Sequence, residues 1–327
     1  MFMMKAQLIR LGLALAVLIA VAQITPQTIK RWSLPLFVVG LGLLVAVLLV
    51  GHVGKGAQRW LDLGFMKFQP SEVMKLAVPM AVAWFISSHN LPPKIRHLLL
   101  GFLMCAIPTL LIAKQPDLGT SILIATAGVF VLFMSGMSWR IIAFVAALIS
   151  AFLPVLWLFL MRDYQRQRVL TFLNPESDPL GSGYHIIQSK IAIGSGGLEG
   201  KGYLQGTQSQ LEFLPERHTD FIFAVISEEL GLMGVLLLLS LYLFIIARCM
   251  IIASQAQDNY SKLVAASFTL TFFVYVFVNI GMVSGLLPVV GVPLPLISFG
   301  GTSMVTLMAA FGVIMSVGTH KRMLAAP

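Results

Sequence analysis

The chain has 327 residues, of which 58% are hydrophobic and only 11% are charged. A soluble globular domain has about 25% charged residues, so this composition excludes a soluble protein. The mean hydropathy of +0.90 agrees with that conclusion. The apolar content is enough for about nine membrane helices of about 20 residues each, and the length therefore indicates a number of membrane spans rather than of soluble domains.

The charge and the cysteines exclude further classes of protein. The net charge of +9 is typical of a membrane protein with Lys and Arg in its cytoplasmic loops, and we expect no nucleic-acid partner. Cys105 and Cys249 both lie in apolar stretches, which excludes a disulfide framework and a cysteine-based metal site.

Long stretches with almost no charge predict an all-α polytopic membrane protein with about nine transmembrane helices. Residues 1–327 are predicted to form one integral membrane domain. Turn residues and charges separate the spans, as at Asn90, Pro93 and Pro116. The predicted spans are 8–24, 32–51, 72–88, 98–113, 119–135, 139–161, 221–247, 263–287 and 299–317.

The Lys and Arg residues of the short loops predict the orientation of the chain. They are more numerous on the side of the C-terminus, where Lys94, Arg96 and Arg248 are found, and this side is predicted to be cytoplasmic. With nine spans the N-terminus then lies outside, together with Lys5 and Arg10. These two residues and the apolar run after them also resemble a signal peptide, but a second span follows directly and disfavours that alternative.

The largest segment outside the spans, 162–219, is predicted to form a folded cap on the external face of the membrane. A connection of this length is uncommon unless it is functional or disordered. Residues 184–193 are apolar with a helical pattern, and residues 194–206 are rich in glycine. The stretch 196–202 is similar to a P-loop, but it is one residue too short and lacks the Ser or Thr that binds magnesium. Nucleotide hydrolysis is therefore not expected, whereas a looser backbone site for a phosphate stays open.

Ionisable residues near the external ends of the spans are the candidates for chemistry, because charge within a bilayer is costly. We expect them to line one polar cavity, together with Arg59, Lys114 and the cap, that opens toward the outer leaflet. These residues are Glu72, Lys75, Asp117, Asp220, Glu228 and Glu229.

Some of these residues also have structural explanations. Glu72 and Lys75 are three residues apart, so they can form an ion pair on one face of a helix, for which Ser71 resembles an N-cap. Arg59 and Trp60 can anchor the chain at the level of the lipid headgroups, or Arg59 can bind phosphate.

Asp220 stands directly before an apolar run, where it can cap a membrane helix. The positive end of a helix makes a carboxylate a weaker base, so general-base catalysis by Asp220 requires burial or a nearby carboxylate such as Glu216. Alternatively, Asp220 holds a metal ion.

The segment 285–301 is apolar but rich in Pro and Gly, which excludes a continuous helix. Irregular backbone at membrane depth is tolerated only against protein or a water-filled cavity, so we expect a re-entrant or cavity-lining segment. Broken helices are also typical of transporters, which keeps a transport function open.

Four motifs that occur in the same order over nearly the whole chain resemble the SEDS family (shape, elongation, division, sporulation) of cell-wall polymerases. Two further stretches resemble the elongation enzymes of that family more than its division enzymes. The four motifs are Lys55-Gly56-Ala57-Gln58-Arg59-Trp60-Leu61, Phe68-Gln69-Pro70-Ser71-Glu72, Gln115-Pro116-Asp117-Leu118-Gly119-Thr120, and Gly291-Val292-Pro293-Leu294-Pro295 before Ser298-Phe299-Gly300-Gly301. The two further stretches are Asp163-Tyr164-Gln165-Arg166-Gln167-Arg168 and Phe213-Leu214-Pro215-Glu216-Arg217-His218-Thr219-Asp220-Phe221.

The resemblance implies a peptidoglycan glycosyltransferase that polymerises lipid II into β-1,4 glycan strands during elongation, on the outer (periplasmic) face of the cytoplasmic (inner) membrane. It implies a class B penicillin-binding protein, a transpeptidase, as partner, together with other membrane proteins of the rod-shape complex. It also implies that Asp220 is catalytic. The family usually has ten spans with both ends in the cytoplasm, so the first span is expected to be missing here.

The implied reaction fits the residues that are present. A β-linked product from an α-linked glycosyl pyrophosphate requires inversion, for which one base that deprotonates the acceptor hydroxyl is sufficient. We expect Asp220 to be that base or to bind a divalent cation, for which Mg²⁺ is the best fit. The departing undecaprenyl pyrophosphate needs positive charge. The candidate substrate-binding residues are Arg59, Trp60, Glu72, Lys75, Lys114, Asp117, Lys190, Lys201, Glu216, Arg217 and His218.

Two other functions stay open: a flippase or other transporter of lipid-linked precursors, and a noncatalytic scaffold of the rod-shape complex. Transport needs access from both leaflets, whereas polymerisation needs only the outer one. Because the intramembrane charges lie near the external ends of the spans, the sequence favours the enzyme.

Overall fold

The structure is a computed structural model that describes residues 2–54, 57–62, 67–161, 163–177, 182–211, 213–214 and 216–320. Over these residues it contains twelve α-helices and one small sheet. The first six helices are α1 (Phe2–Gln23), α2 (Pro26–Val50), α3 (Pro70–Ser87), α4 (Ile95–Lys114), α5 (Leu118–Met134) and α6 (Trp139–Val155), which continues as a π-helical turn (Leu156–Leu160). The others are α7 (Asp163–Leu173), α8 (Ser182–Ser195), α9 (Thr207–Gln210), α10 (Ile222–Ser254), α11 (Asn259–Val283) and α12 (Thr302–Thr319).

Each predicted span coincides with one of the long helices. Within the described residues, seven helices are long and apolar enough to cross a membrane. The other two predicted spans are α5, an apolar helix of 17 residues, and α3, which has Glu72 in its first turn. The prediction of an all-α polytopic membrane protein is confirmed, and the chain is a multi-pass membrane protein.

The chain divides into two compact units. The first unit comprises Met1–Gly136, Ile245–Val274 and Gly300–Pro327, and the second comprises Met137–Phe244 and Tyr275–Phe299. Each unit holds one group of the predicted site residues.

In the first unit, α1 packs along α12 in close contact. A Cβ added at Gly312 would lie 2.8 Å from the carbonyl oxygen of Leu18, and Gly301, just before α12, lies beside Arg10. Glycine allows membrane helices to approach each other in this way. Because contacts advance in the same direction along both helices, α1 and α12 run parallel, as the first and ninth of nine alternating spans should.

A small antiparallel sheet follows α2, although the sequence indicated no strand in this region. Its strands are β1 (His52–Gly54), β2 (Ala57–Asp62) and β3 (Lys67–Phe68), in the order β1-β2-β3. Lys55 and Gly56, which belong to the first family motif, lie outside the described residues. The sheet places Arg59 and Trp60 next to each other on β2, where successive side chains leave on opposite faces.

The second unit contains α7, α8 and α9, all within the predicted cap, 162–219. The apolar stretch 184–193 lies in α8, as its helical pattern predicted. Arg162, where the predicted cap begins, and Pro215, in the last family motif, lie outside the described residues.

Helix α10 is broken at Gly231, in the middle of an apolar span. Gly231 has φ 62° and ψ −163°, a conformation that is essentially restricted to glycine. The break interrupts the hydrogen bonds between successive turns, so amides and carbonyls on both sides need other partners.

Residues 196–202, here named the docking loop, supply those partners. Lys201 and Gly202 belong to this loop. The backbone amide of each donates a hydrogen bond of 3.0 Å to a carbonyl of α10 that precedes the break. In return, the amides of Leu232 and Met233, after the break, donate to loop carbonyls at 2.9 and 3.1 Å. The loop therefore replaces the missing turn-to-turn hydrogen bonds of α10.

Close packing explains the glycines of the docking loop. A Cβ added at Gly196 would lie 2.0 Å from the carbonyl oxygen of Ser227, and one added at Gly200 would lie 2.2 Å from that of Glu229. These glycines, which resemble part of a P-loop, thus have a packing role against α10.

Residues 285–301 contain no helix, as their prolines and glycines predicted. Helix α11 ends at Val283 and α12 begins at Thr302. Hydrogen bonds from other elements hold the segment; for example, the hydroxyl of Tyr242 donates to the carbonyl of Pro295 at 2.7 Å. Irregular backbone of this kind is compatible with a membrane only where protein or water satisfies it.

The break in α10 predicts that Gly231→Ala destabilises the protein. The new methyl group would lie 2.3 Å from the backbone nitrogen of Gly200, in a conformation that costs a non-glycine residue roughly 1–3 kcal/mol. We expect a clearly lower thermal unfolding temperature in detergent, measured by circular dichroism. The control is Gly194→Ala, because an added Cβ at Gly194 has no atom within 4 Å. Equal unfolding temperatures for both variants would contradict the packing described here.

Candidate active site

Asp220 lies at the end of a turn that leads into α10. The turn covers residues 216–221, and α10 begins two residues after Asp220, at Ile222. Glu216 has a φ of 53°, and its carbonyl accepts from the amides of Thr219 at 3.0 Å and Phe221 at 3.4 Å. Asp220 is half-buried, so its carboxylate is neither sealed in the core nor fully in solvent.

Asn279 fixes the backbone of Asp220. Its side-chain amide nitrogen donates to the carbonyl of Asp220 at 2.9 Å and to the carbonyl of Val292 at 2.7 Å. Asn279 lies in α11 and is completely buried. One side chain therefore joins the turn that carries Asp220 to the Pro-rich segment 285–301.

The same segment holds the two preceding residues of the turn. The hydroxyl of Ser298 donates to the carbonyl of Thr219 at 2.6 Å and accepts from the amide of Leu294 at 2.7 Å. The amide of Phe299 donates to the carbonyl of His218 at 2.8 Å. Three consecutive carbonyls of the turn are thus bound by the segment or by Asn279, which makes the position of Asp220 well defined.

Gly291 borders the carboxylate of Asp220. A Cβ added at Gly291 would lie 3.5 Å from Oδ2 of Asp220, and Gly291 has a φ of 72°. Glycine meets this conformation without strain. It also puts bare backbone, rather than a side chain, beside the carboxylate.

Sequence reasoning missed Asn279, although a signal was present. Asn279 follows a run of apolar and aromatic residues in a predicted span, and a polar group in a membrane helix indicates a specific partner. Its partner could not be named from the sequence, because Asp220 lies 59 residues away.

Glu216, Arg217 and His218 belong to the turn itself. The guanidinium of Arg217 donates to the carbonyl of Ser209 and, at 3.3 Å, to Nε2 of His218. The carboxylate of Glu216 accepts from the hydroxyl of Thr219 at 2.9 Å. Glu216 and His218 are exposed and Arg217 is half-buried.

Lys190 and Lys201 have different surroundings. Lys190 is exposed on α8, and its side chain lies against Gly285, where an added Cβ would be 2.2 Å from Cε. Lys201 forms an ion pair with Glu228 at 2.8 Å. Because Glu228 neutralises Lys201, that lysine has less capacity to bind an anionic ligand than Lys190.

Glu228 and Glu229 are both buried in α10, but their carboxylates have different surroundings. The carboxylate of Glu228 accepts from the cap, including the hydroxyl of Thr207 at 3.1 Å. For Glu229, the described part of the chain provides no hydrogen bond or ion pair to the carboxylate.

The first unit holds the other group of predicted residues. Arg59 donates from Nε to the carbonyl of Gln115 at 3.4 Å and from Nη2 to the carbonyl of Pro116, and its Nη1 lies 3.7 Å from Oδ2 of Asp117. Lys114 is the last residue of α4, directly before these carbonyls. Arg59 therefore ties β2 to the end of α4.

Asp117 is the N-cap of α5, since Oδ1 accepts from the amide of Thr120 at 3.3 Å. Its other oxygen accepts from the side chain of Gln69 at 3.3 Å. Trp60, next to Arg59 on β2, is half-buried.

The predicted ion pair of Glu72 and Lys75 is present on α3. Nζ of Lys75 lies 2.7 Å from Oε1 of Glu72, and both side chains are largely buried. The interpretation of Ser71 as the N-cap is wrong, because α3 begins at Pro70 with Gln69 as its N-cap. Proline at the first helical position needs no amide partner.

The two groups lie in different compact units, and the cavity predicted to combine them stays a prediction. The first group contains Arg59, Trp60, Glu72, Lys75, Lys114 and Asp117, and the second contains Lys190, Lys201, Glu216, Arg217, His218 and Asp220.

Comparison with known proteins identifies relatives over nearly the full length. The family model FTSW_RODA_SPOVE, described as cell cycle protein, matches residues 1–323. Peptidoglycan glycosyltransferase MrdB of Escherichia coli strain K12 is 58% identical over 322 residues, which are 98% of this chain and 87% of MrdB.

Two solved structures share the fold. A chain from a study of the structural coordination of polymerization and crosslinking by a peptidoglycan synthase complex matches with a TM-score of 0.83 at 32% identity, and the match covers 97% of this chain and 89% of that one. Rod shape determining protein RodA of Thermus thermophilus matches with a TM-score of 0.71 at 27% identity, covering 97% and 87%.

These relatives favour the enzyme over the transporter and the scaffold. The sequence resemblance to the SEDS family is confirmed by the family model and by the relatives. The chain belongs to the FtsW, RodA and SpoVE family of membrane proteins and is a glycosyltransferase.

Proposed function

We propose that this glycosyltransferase polymerises lipid II into β-1,4 glycan strands, with Asp220 as the residue that receives the proton of the acceptor hydroxyl or holds a divalent cation beside it. The chain is a peptidoglycan glycosyltransferase. The observation that carries the proposal is the half-buried carboxylate of Asp220 at the mouth of α10, on a backbone that Asn279 holds and beside the bare backbone of Gly291.

The reaction is a single inverting displacement. The acceptor hydroxyl oxygen attacks the anomeric carbon of the donor while the bond from that carbon to the pyrophosphate oxygen breaks. The pyrophosphate leaves with the bonding electrons, and Asp220 takes the hydroxyl proton. A rigid backbone favours this reaction, since the base must stay within hydrogen-bonding distance of the acceptor.

Positive charge near the leaving pyrophosphate lowers the barrier. Arg217 and Lys190 are the best candidates in the second unit, because Lys201 is neutralised by Glu228. In the first unit, Arg59 and Lys114 stay candidates, and the contacts of Arg59 with two carbonyls also support the predicted anchoring role.

The carboxylate of Asp220 is a suitable ligand for a divalent cation, and the substrate would supply the further ligands. The described residues contain no group of three or more His, Cys, Asp or Glu that could hold a metal ion. Mg²⁺ commonly binds through one or two carboxylates, substrate phosphates and water, so Asp220 and the pyrophosphate would suffice. The cation would lower the pKa of the acceptor hydroxyl and neutralise charge on the pyrophosphate.

A class B penicillin-binding protein is the proposed partner, which would crosslink the glycan as it forms, along with other membrane proteins of the rod-shape complex. Similarity to a chain of a peptidoglycan synthase complex supports a crosslinking partner. The site is proposed to face the periplasmic side of the inner membrane, and the distribution of Lys and Arg in the short loops supports this orientation.

Asp220→Asn should abolish polymerisation. Asparagine keeps the size of the side chain but cannot accept the proton, so we expect a loss of at least ~10²-fold for the full chain purified with its partner, measured with fluorescent lipid II. Asp163→Asn is the control, because Asp163 is a fully exposed aspartate in α7. Normal activity of Asp220→Asn would show that Asp220 only shapes the start of α10.

Chelation of divalent cations should stop the reaction, and added Mg²⁺ should restore it in the unaltered protein but not in Asp220→Asn. The reason is that the carboxylate of Asp220 and the pyrophosphate would together hold the cation. The measurement is polymerisation in EDTA followed by titration with Mg²⁺. Full activity in EDTA would leave Asp220 as a base without a metal.

Asn279→Leu should slow polymerisation about tenfold or more. Leucine has a similar volume but no donor, so the carbonyls of Asp220 and Val292 lose their partner, at a cost of ~1–3 kcal/mol for each buried group. The matched control is Ser284→Ala in the turn that follows α11, because the hydroxyl of Ser284 donates to carbonyls of the adjoining end of α11. Equal rates for the two variants would mean that Asn279 does not position Asp220.

A further inference from the structure

Glu228 is a buried carboxylate with donors from the cap on both of its oxygens. Its side chain has no exposed surface. Oε1 accepts from Nζ of Lys201 at 2.8 Å, from the hydroxyl of Thr207 at 3.1 Å and from the amide of Gln208 at 2.9 Å, and Oε2 accepts from the amide of Ser209 at 3.2 Å. These four donors span 201–209, so one side chain of α10 holds a long stretch of the cap.

The cap approaches Glu228 closely at Gly206. A Cβ added at Gly206 would lie 2.8 Å from Oε2 of Glu228 and 2.6 Å from the hydroxyl of Ser209. The backbone therefore comes close enough for its amides to reach the carboxylate only because residue 206 has no side chain.

The residues that Glu228 holds are linked to the turn of Asp220. The carbonyl of Ser209, whose amide donates to Glu228, accepts from the guanidinium of Arg217. Arg217 precedes Asp220 by three residues in the same turn. The turn is thus bound on one side by Asn279 and the Pro-rich segment and on the other side, through Arg217, by Glu228.

We propose that Glu228 is a positioning residue for glycan polymerisation: it fixes 207–209 and, through Ser209 and Arg217, the turn that carries Asp220. The proposal rests on the proposed role of Asp220. Glu228 touches no substrate in this proposal. Glutamine at this position would remove the charge that pairs with the ammonium of Lys201 and would put an NH2 donor in place of one acceptor oxygen, and unmatched buried groups of this kind are costly.

Glu228→Gln should separate this role from a general effect on the fold. We expect kcat for polymerisation to fall about tenfold with a change in KM for lipid II below about twofold. We also expect amide hydrogen exchange in peptides covering 207–220 to accelerate about tenfold or more, with little change in peptides of α11 and α12. The protein is the full chain with its crosslinking partner.

Ser227→Ala is the matched control. Ser227 directly precedes Glu228 in α10, it is likewise buried, and its hydroxyl donates to the carbonyl of Phe223 in the same helix at 2.8 Å. We expect kcat and the exchange of 207–220 to stay within about twofold of the unaltered protein. A loss of activity in Ser227→Ala equal to that in Glu228→Gln would overturn the proposal, because loss of any buried polar group from α10 would then explain both.

Thr207→Val provides a milder variant if Glu228→Gln does not fold. It removes one donor to Glu228 and keeps the shape of the side chain, so we expect a twofold to fivefold fall in kcat and faster exchange in 207–220. If amide hydrogen exchange in 207–220 or kcat is unchanged in the Glu228 and Thr207 variants, Glu228 is not a positioning residue. A different result would contradict the proposed function of Asp220. In that case Asp220→Asn would be active, regardless of the rate of amide hydrogen exchange in residues 207–220.

Discussion

The backbone of a membrane protein must satisfy its own hydrogen bonds, because hydrocarbon offers no donor or acceptor. This constraint explains the most unusual contact of the second unit. Helix α10 breaks at Gly231, and the docking loop, 196–202, binds the amides and carbonyls that the break releases. Since the same backbone groups hold both elements, neither the loop nor the broken helix can take this geometry without the other.

The same constraint makes the Pro-rich segment a support for the candidate active site. Its backbone cannot form a helix, so it bonds instead to its surroundings, and the turn at 218–220 receives three of these bonds from Asn279, Ser298 and Phe299. Catalysis by a carboxylate depends on its orientation. The irregular segment is thus what gives Asp220 a defined place at the mouth of a membrane helix.

Both units contain charged residues that form ion pairs. Glu228 pairs with Lys201, Glu72 with Lys75, and Arg59 with Asp117. Removal of one partner of a buried ion pair is costly, because the other charge is then left unpaired.

Composition and local residue patterns were enough to predict the membrane class, the positions of nine helices, the irregular segment 285–301 and the pairing of Glu72 with Lys75. These features depend on composition, on proline and glycine content, and on spacing within one helix, all of which are local. Other contacts became visible only in the folded chain: Glu228 binds a lysine 27 residues away, Asn279 holds Asp220 across 59 residues, and the glycines of the docking loop pack against a broken helix. These contacts join distant parts of the chain, and no local pattern of residues encodes which donor will meet which acceptor.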